Sequence, residues 1–110
     1  MPEPPVVIVI RVGNPGGSAF QLRKGEEGLS VFDQSGTDPE LTDDEVLAAF
    51  RPGSVVIHRT ADQVTALGLV LVPSEGADSL PERLRAAHRE IRPGPGMSRA
   101  QFKTTLKELE

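Results

Sequence analysis

The segment RPGPGMSRAQF, residues 92–102, divides this chain into a body and a last, separate element. Its two prolines lack backbone N–H donors, and its two glycines permit a sharp reversal of the chain. We therefore predict a Pro/Gly corner at residues 92–97.

Two start signals for a helix follow the corner. Ser98 and Gln101 have the spacing of a capping box, in which each side chain bonds to the backbone N–H of the other residue. Met97 and Phe102 have the spacing of a hydrophobic staple. Together they predict a terminal helix at about residues 99–109.

The terminal helix needs a surface to pack on. A helix of about eleven residues is marginal in water without tertiary contacts. Phe102, Leu106 and Leu109 lie on one face of it. That face must pack on the body of the chain, on a second copy or on another protein.

The body alternates strand patterns with short helix patterns. Strands are predicted by apolar or alternating runs at 6–10, 20–23, 29–32, 54–58 and 69–72. Capping signals predict helices at 42–50 and 60–68, and a third from Ser79 to about Arg92. The third helix carries the apolar stripe Leu80, Leu84, Ala87 and Ile91.

These elements predict one α+β domain over residues 1–110, with an extended arm at 1–5. We expect a mainly antiparallel sheet of four to five strands with helices packed on one face. Two helices are expected at the C-terminus. The ten residues 59–68 are too few for the usual parallel crossover, which favours antiparallel strands.

The charge is unevenly distributed along the chain. Residues 1–80 carry a net charge of −7 and residues 81–110 a net charge of +3, which gives −4 overall. A net acidic chain without Tyr or Trp argues against nucleic-acid binding. The basic end is expected to lie against acidic helix 42–50 or the turn at 24–28, or against an acidic partner. Arg85, Arg89 and Arg92 form a basic row there.

Several function classes lack their sequence signatures. No cysteine is present, and His58 and His88 lack metal-ligand spacing, so we expect no metal site. His88 is expected to be at least half-buried. GNPGGS at 13–18 matches no phosphate-loop motif, which favours a turn over an anion site. Neither a membrane-spanning run nor a signal peptide is recognisable, so the cytoplasm is the expected location.

Three residues suggest one enzyme family. Arg11 ends the first strand, Ser30 lies in a later strand, and Glu75 follows another. This order resembles compact bacterial ADP-ribosyltransferase toxins. In that family the Arg and Ser hold the NAD and the Glu assists attack at the ribose. The resemblance implies an NAD-dependent toxin with Arg11, Ser30 and Glu75 as its site.

In size and style the chain also resembles small members of bacterial toxin–antitoxin and immunity pairs. That resemblance implies a non-catalytic protein without a cofactor, whose partner is another protein or a second copy. We favour this interpretation over the enzyme. The expected partner-binding residues are Arg85, Arg89, Arg92, Phe102 and Leu106.

Overall fold

A computed structural model describes residues 6–14, 19–74, 76 and 78–110, so the arm predicted at 1–5 lies outside the described residues. The strands of the described part are β1 (Ile8–Gly13), β2 (Leu29–Asp33), β3 (Val55–Thr60), β4 (Val70–Pro73) and β5 (His88–Arg92). The helices are α1 (Asp43–Leu47), α2 (Ala61–Ala66), α3 (Glu82–Ala87) and α4 (Arg99–Leu106), and α4 continues into a 3₁₀ turn at Lys107–Leu109.

All five strands form one antiparallel sheet in the order β3-β1-β2-β5-β4. This confirms the predicted α+β class with a small antiparallel sheet. The connection at 59–68, which was expected to join neighbouring antiparallel strands, does not do so. β3 and β4 lie at opposite edges of the sheet, so this segment crosses a face instead of joining two neighbours.

Helices cover both faces of the sheet, which corrects the expectation of one covered face. Successive residues of a strand point to opposite faces. Val9 of β1 accordingly packs with α2 and α4, while Ile10 packs with α1 and α3. We call these the α4 face and the α1 face.

The terminal helix starts as predicted. Ser98 is its N-cap, and the capping box with Gln101 is complete. Phe102, Leu106 and Leu109 are 1%, 0% and 3% exposed in the core of their own chain. Gly94 of the corner lies against the backbone carbonyl of Gly68, where a Cβ atom would collide. The corner therefore docks α4 on the body.

The third helix is shorter than predicted. It ends at Ala87, and residues 88–92 form β5 between β2 and β4. Pro81 occupies the N-cap position, without a side-chain cap from Ser79. The last two helices of the chain are therefore separated by a strand. Ile91 fits both patterns, because it continues a helical stripe and also alternates with Glu90 along a strand.

The segment at 20–23 is irregular and does not form the predicted strand. Phe20 and Leu22 are nevertheless buried in the core of the α4 face. Their alternation therefore indicated burial correctly. It did not indicate strand pairing, because the backbone N–H groups of Phe20 and Arg23 donate to the carboxylates of Glu110 and Glu26 instead of to a strand.

The basic C-terminal part folds back on the acidic part, as expected. Arg83 of α3 pairs with Glu45 of α1, with Nε 2.6 Å from Oε2. The hydrogen bond from Arg83 is the main cause that lowers the pKa of Glu45. Arg99 donates to the carbonyl oxygens of Arg23 and Glu26 at the predicted turn. None of the described helices is both long enough and apolar enough to cross a bilayer.

Candidate binding site

β1 and β2 separate before the end of β1. They are paired at Val9 with Asp33 and at Ile10 with Phe32. Beyond these positions the side chain of Arg11 bridges the gap. Its Nε donates to the carbonyl oxygen of Ala19 at 2.7 Å, and its Nη1 donates to that of Ser30 at 2.9 Å. The guanidinium is thus fixed by backbone groups.

A cleft of about 440 Å³ opens beside this guanidinium, and we call it the Arg11 cleft. It collects residues from the end of β1, the segment at 19–26 and the connection from α1 to β3. The polar side chains that line it are Arg11, Asn14, Gln21, Arg23, Glu26, Arg51 and Ser54.

The electrostatics of the Arg11 cleft favour an anion. Burial is the main cause that lowers the pKa of Arg11, Glu26 acts in the opposite direction, and Arg23 adds to the lowering. Glu26 also accepts a hydrogen bond from the backbone N–H of Arg23 at 2.8 Å. Within the described part of the chain, neither Arg11, Arg23 nor Arg51 forms an ion pair. The cleft therefore carries excess positive charge on a chain of net charge −4.

Guanidinium groups match the geometry of carboxylates and phosphates, which they can bind through two parallel hydrogen bonds. Arg11, Arg23 and Arg51 are the residues that could hold such a group. Asn14, Gln21 and Ser54 supply neutral donors beside them. The arrangement can bind an anionic group. The described residues that line it include neither a histidine nor a pair of carboxylates for acid–base chemistry.

Of the three residues of the toxin resemblance, the structure describes Arg11 and Ser30. The hydrogen bond from Arg11 to Ser30 is made to the backbone carbonyl oxygen of Ser30 and not to its hydroxyl group. The two residues line different clefts, and Ser30 shares the α1 face with Phe32. Glu75 lies outside the described residues.

The predicted partner-binding residues fall into two groups. Phe102 and Leu106 are almost fully buried, so they belong to the core and not to a partner-binding surface. Arg85 is exposed, while Arg89 lies 3.9 Å from Asp33 and Arg92 lies 2.9 Å from Glu90. The row is therefore divided between α3 and β5, because the predicted helix ends between its members.

Both histidines have structural partners. Nε2 of His58 lies 2.8 Å from Oδ1 of Asp43, in the first turn of α1. His88 is 3% exposed, which confirms the expectation that it is at least half-buried. Among the described residues, no three His, Cys, Asp or Glu side chains are grouped as a metal site would require.

Arg23 and Arg51 were not predicted as site residues. Arg23 follows the buried Leu22, and Arg51 precedes Pro52. Neither position belongs to a sequence motif that would indicate a binding site. The glycine-rich segment next to Arg11 was the only local signal. Its Gly13 and Asn14 do line the cleft, and residues 15–18 lie outside the described residues.

Comparison with known proteins adds no relative: no protein-family model, no curated protein and no solved structure matches this chain.

Proposed function

We propose that this chain is a non-catalytic binding protein that recognises an acidic segment of a partner protein in the Arg11 cleft, and that it acts in the cytoplasm. The observation that carries the proposal is the convergence of Arg11, Arg23 and Arg51 without an ion pair among the described residues. A local excess of positive charge on an acidic protein favours a negatively charged partner.

The environment of Arg11 supports this proposal. A guanidinium offers five N–H donors, and the bonds of Arg11 to described residues use two of its nitrogens. Burial of a charge is costly without a counter-charge, and a bound carboxylate would offset that cost. Because backbone carbonyls already hold the side chain, binding would cost little of its conformational entropy.

The resemblance to toxin–antitoxin and immunity pairs suggests that the partner is the other member of such a pair. A labelled oligoglutamate peptide can represent the acidic segment in a binding assay with the purified protein. Binding is measured by fluorescence anisotropy at low and high salt, with an oligolysine peptide as the negative control.

Arg11→Gln should weaken binding of the oligoglutamate peptide by about ten- to a hundredfold, because a hydrogen bond to a charged group contributes roughly 1.5–3 kcal/mol. The matched control is Arg85→Gln, which removes an exposed arginine outside the cleft. Equal affinity of both variants would contradict the proposal. So would binding of oligolysine as tight as that of oligoglutamate.

Two further outcomes identify other functions. Concentration-dependent dimerisation in size exclusion, lost in Arg11→Gln, would show that the partner is a second copy. Growth arrest when the chain is expressed alone, relieved by substitution of Arg11 or Glu75, would favour the ADP-ribosyltransferase-like enzyme. The binding protein is expected to be harmless to the cell.

A further inference from the structure

A second cleft, of about 580 Å³, lies on the α1 face. Its apolar wall consists of Phe32, Phe50 and Leu80. Its polar lining includes Ser30, Ser79 and the ring of His88 at the start of β5. We call it the His88 cleft. No sequence motif predicted it, and the proposed function does not use it.

The ring of His88 is held in one orientation. Its Nδ1 lies 3.2 Å from the carbonyl oxygen of Ser74, and the ring of Phe32 packs edge-on against it with centroids 5.5 Å apart. On the other side the ring contacts Gly76, where a Cβ atom would lie 3.0 Å from the ring. Gly76 also has a φ of +72°, which glycine adopts readily. Both this backbone conformation and the lack of space for a Cβ atom favour glycine here.

The contact with Ser74 determines which nitrogen of His88 accepts a hydrogen bond. A carbonyl oxygen can only accept, so Nδ1 carries the proton in this contact. Burial is the main cause that lowers the pKa of His88, which favours the neutral ring. In a neutral ring with a protonated Nδ1, Nε2 is an acceptor. Among the described residues nothing is hydrogen-bonded to Nε2.

The His88 cleft has no uncompensated charge among its described residues. Glu90 is the charged side chain that lines it. Its carboxylate lies 2.9 Å from the guanidinium of Arg92, and its other oxygen accepts from the hydroxyl of Ser74 at 3.4 Å. The described residues of this cleft therefore favour an uncharged ligand, in contrast to the anionic group expected in the Arg11 cleft.

We propose that the His88 cleft binds a small neutral molecule with an apolar body and an O–H or N–H group that donates to Nε2 of His88. The apolar body packs on Phe32, Phe50 and Leu80. The hydroxyls of Ser30 and Ser79 bond to further polar groups of the molecule. A pocket with an apolar wall and a few converging polar groups is typical of small-molecule sites.

The test uses phenol as the probe and toluene as its matched control, because the two share a ring and differ in the hydroxyl donor. NMR follows the side-chain ¹⁵N resonances of both histidines and the backbone amides during titration of the whole chain. Phenol should move the Nε2 resonance of His88, together with the amides of Ser30 and Leu80. Toluene should move the amides alone, and His58 should respond to neither.

His88→Phe keeps the volume of the ring and removes the acceptor. It should weaken phenol binding by about tenfold, as expected for loss of one hydrogen bond, and leave toluene binding unchanged. If this variant fails to fold, the Nε2 resonance of the unmodified chain still shows whether phenol donates to His88. Saturable phenol binding without a change at Nε2, equal phenol affinity in His88→Phe, or no binding of either probe would overturn the proposal.

Discussion

The two faces of the sheet are built differently. Among the described residues, twelve buried ones form the hydrophobic cluster of the α4 face, and six form that of the α1 face. On the α4 face, helix α4 has eight residues and a complete capping box. On the α1 face, helices α1 and α3 have five and six residues. The His88 cleft lies on the less filled face. The α4 face therefore supplies most of the apolar burial, and the α1 face leaves space for a ligand.

Phe102→Ala should have the largest effect, because it removes a ring that is 1% exposed at the centre of the α4 face. We expect a loss of about 3–5 kcal/mol in the free energy of unfolding, measured by urea denaturation. Lys103→Ala, at an exposed position of the same helix, is the control and should change little. Equal stability of the two variants would show that α4 contributes no packing energy.

Leu84→Ala tests the α1 face in the same way. Leu84 is 0% exposed, so its truncation is also destabilising. We expect about 2–3 kcal/mol, at the low end of the range for such changes, because Phe32, Phe50 and Leu80 of the same cluster line the His88 cleft and have space to relax. A loss as large as that for Phe102→Ala would contradict the difference in packing between the two faces.

Ser98→Ala tests the start signal of α4. The hydroxyl accepts from the N–H of Gln101 at 3.1 Å, and its removal should cost about 1 kcal/mol. Ser79→Ala is the matched control, since Ser79 does not cap α3. It should leave the midpoint of urea denaturation almost unchanged, and an equal shift in both variants would contradict the assignment of the two N-caps.

The pH dependence of stability should reveal His88. Burial is the main cause that lowers its pKa in the folded state relative to 6.5; the hydrogen bond to the carbonyl oxygen of Ser74 and the charge of Glu90 act in the opposite direction, and Arg89 adds to the lowering. The unfolded chain therefore binds the proton more readily. The free energy of unfolding should be highest above pH 6.5 and fall as the pH falls below it. His88→Phe should reduce this slope, measured by urea denaturation from pH 7 to 5, while His58→Phe should retain it.

Local signals predicted the elements whose contacts are close in sequence. Ser98 with Gln101 and Thr60 with Gln63 both form capping boxes in the structure, and Gly68 has a φ of +83° at the end of α2. Thr42 caps α1 by accepting from the N–H of Glu45. Each depends on atoms within a few residues, so the sequence specifies them without the rest of the fold.

The candidate sites could not be predicted in the same way. The Arg11 cleft joins side chains at positions 11, 23 and 51, and the His88 cleft joins strands β2 and β5 with the segment at 74–80. Residues 88–92 became a strand because β2 and β4 pair with both of their edges. Their apolar spacing alone fits a helix.

The N-caps of α1, α2 and α4, the corner and the buried face of α4 follow from local sequence, because they depend on spacing along a few turns of backbone. Tertiary structure decided the sheet order, the cover on both faces and the groups that meet in the two clefts. Strand pairing and burial of a charge depend on partners distant in sequence, and only the folded chain brings those partners within hydrogen-bonding distance.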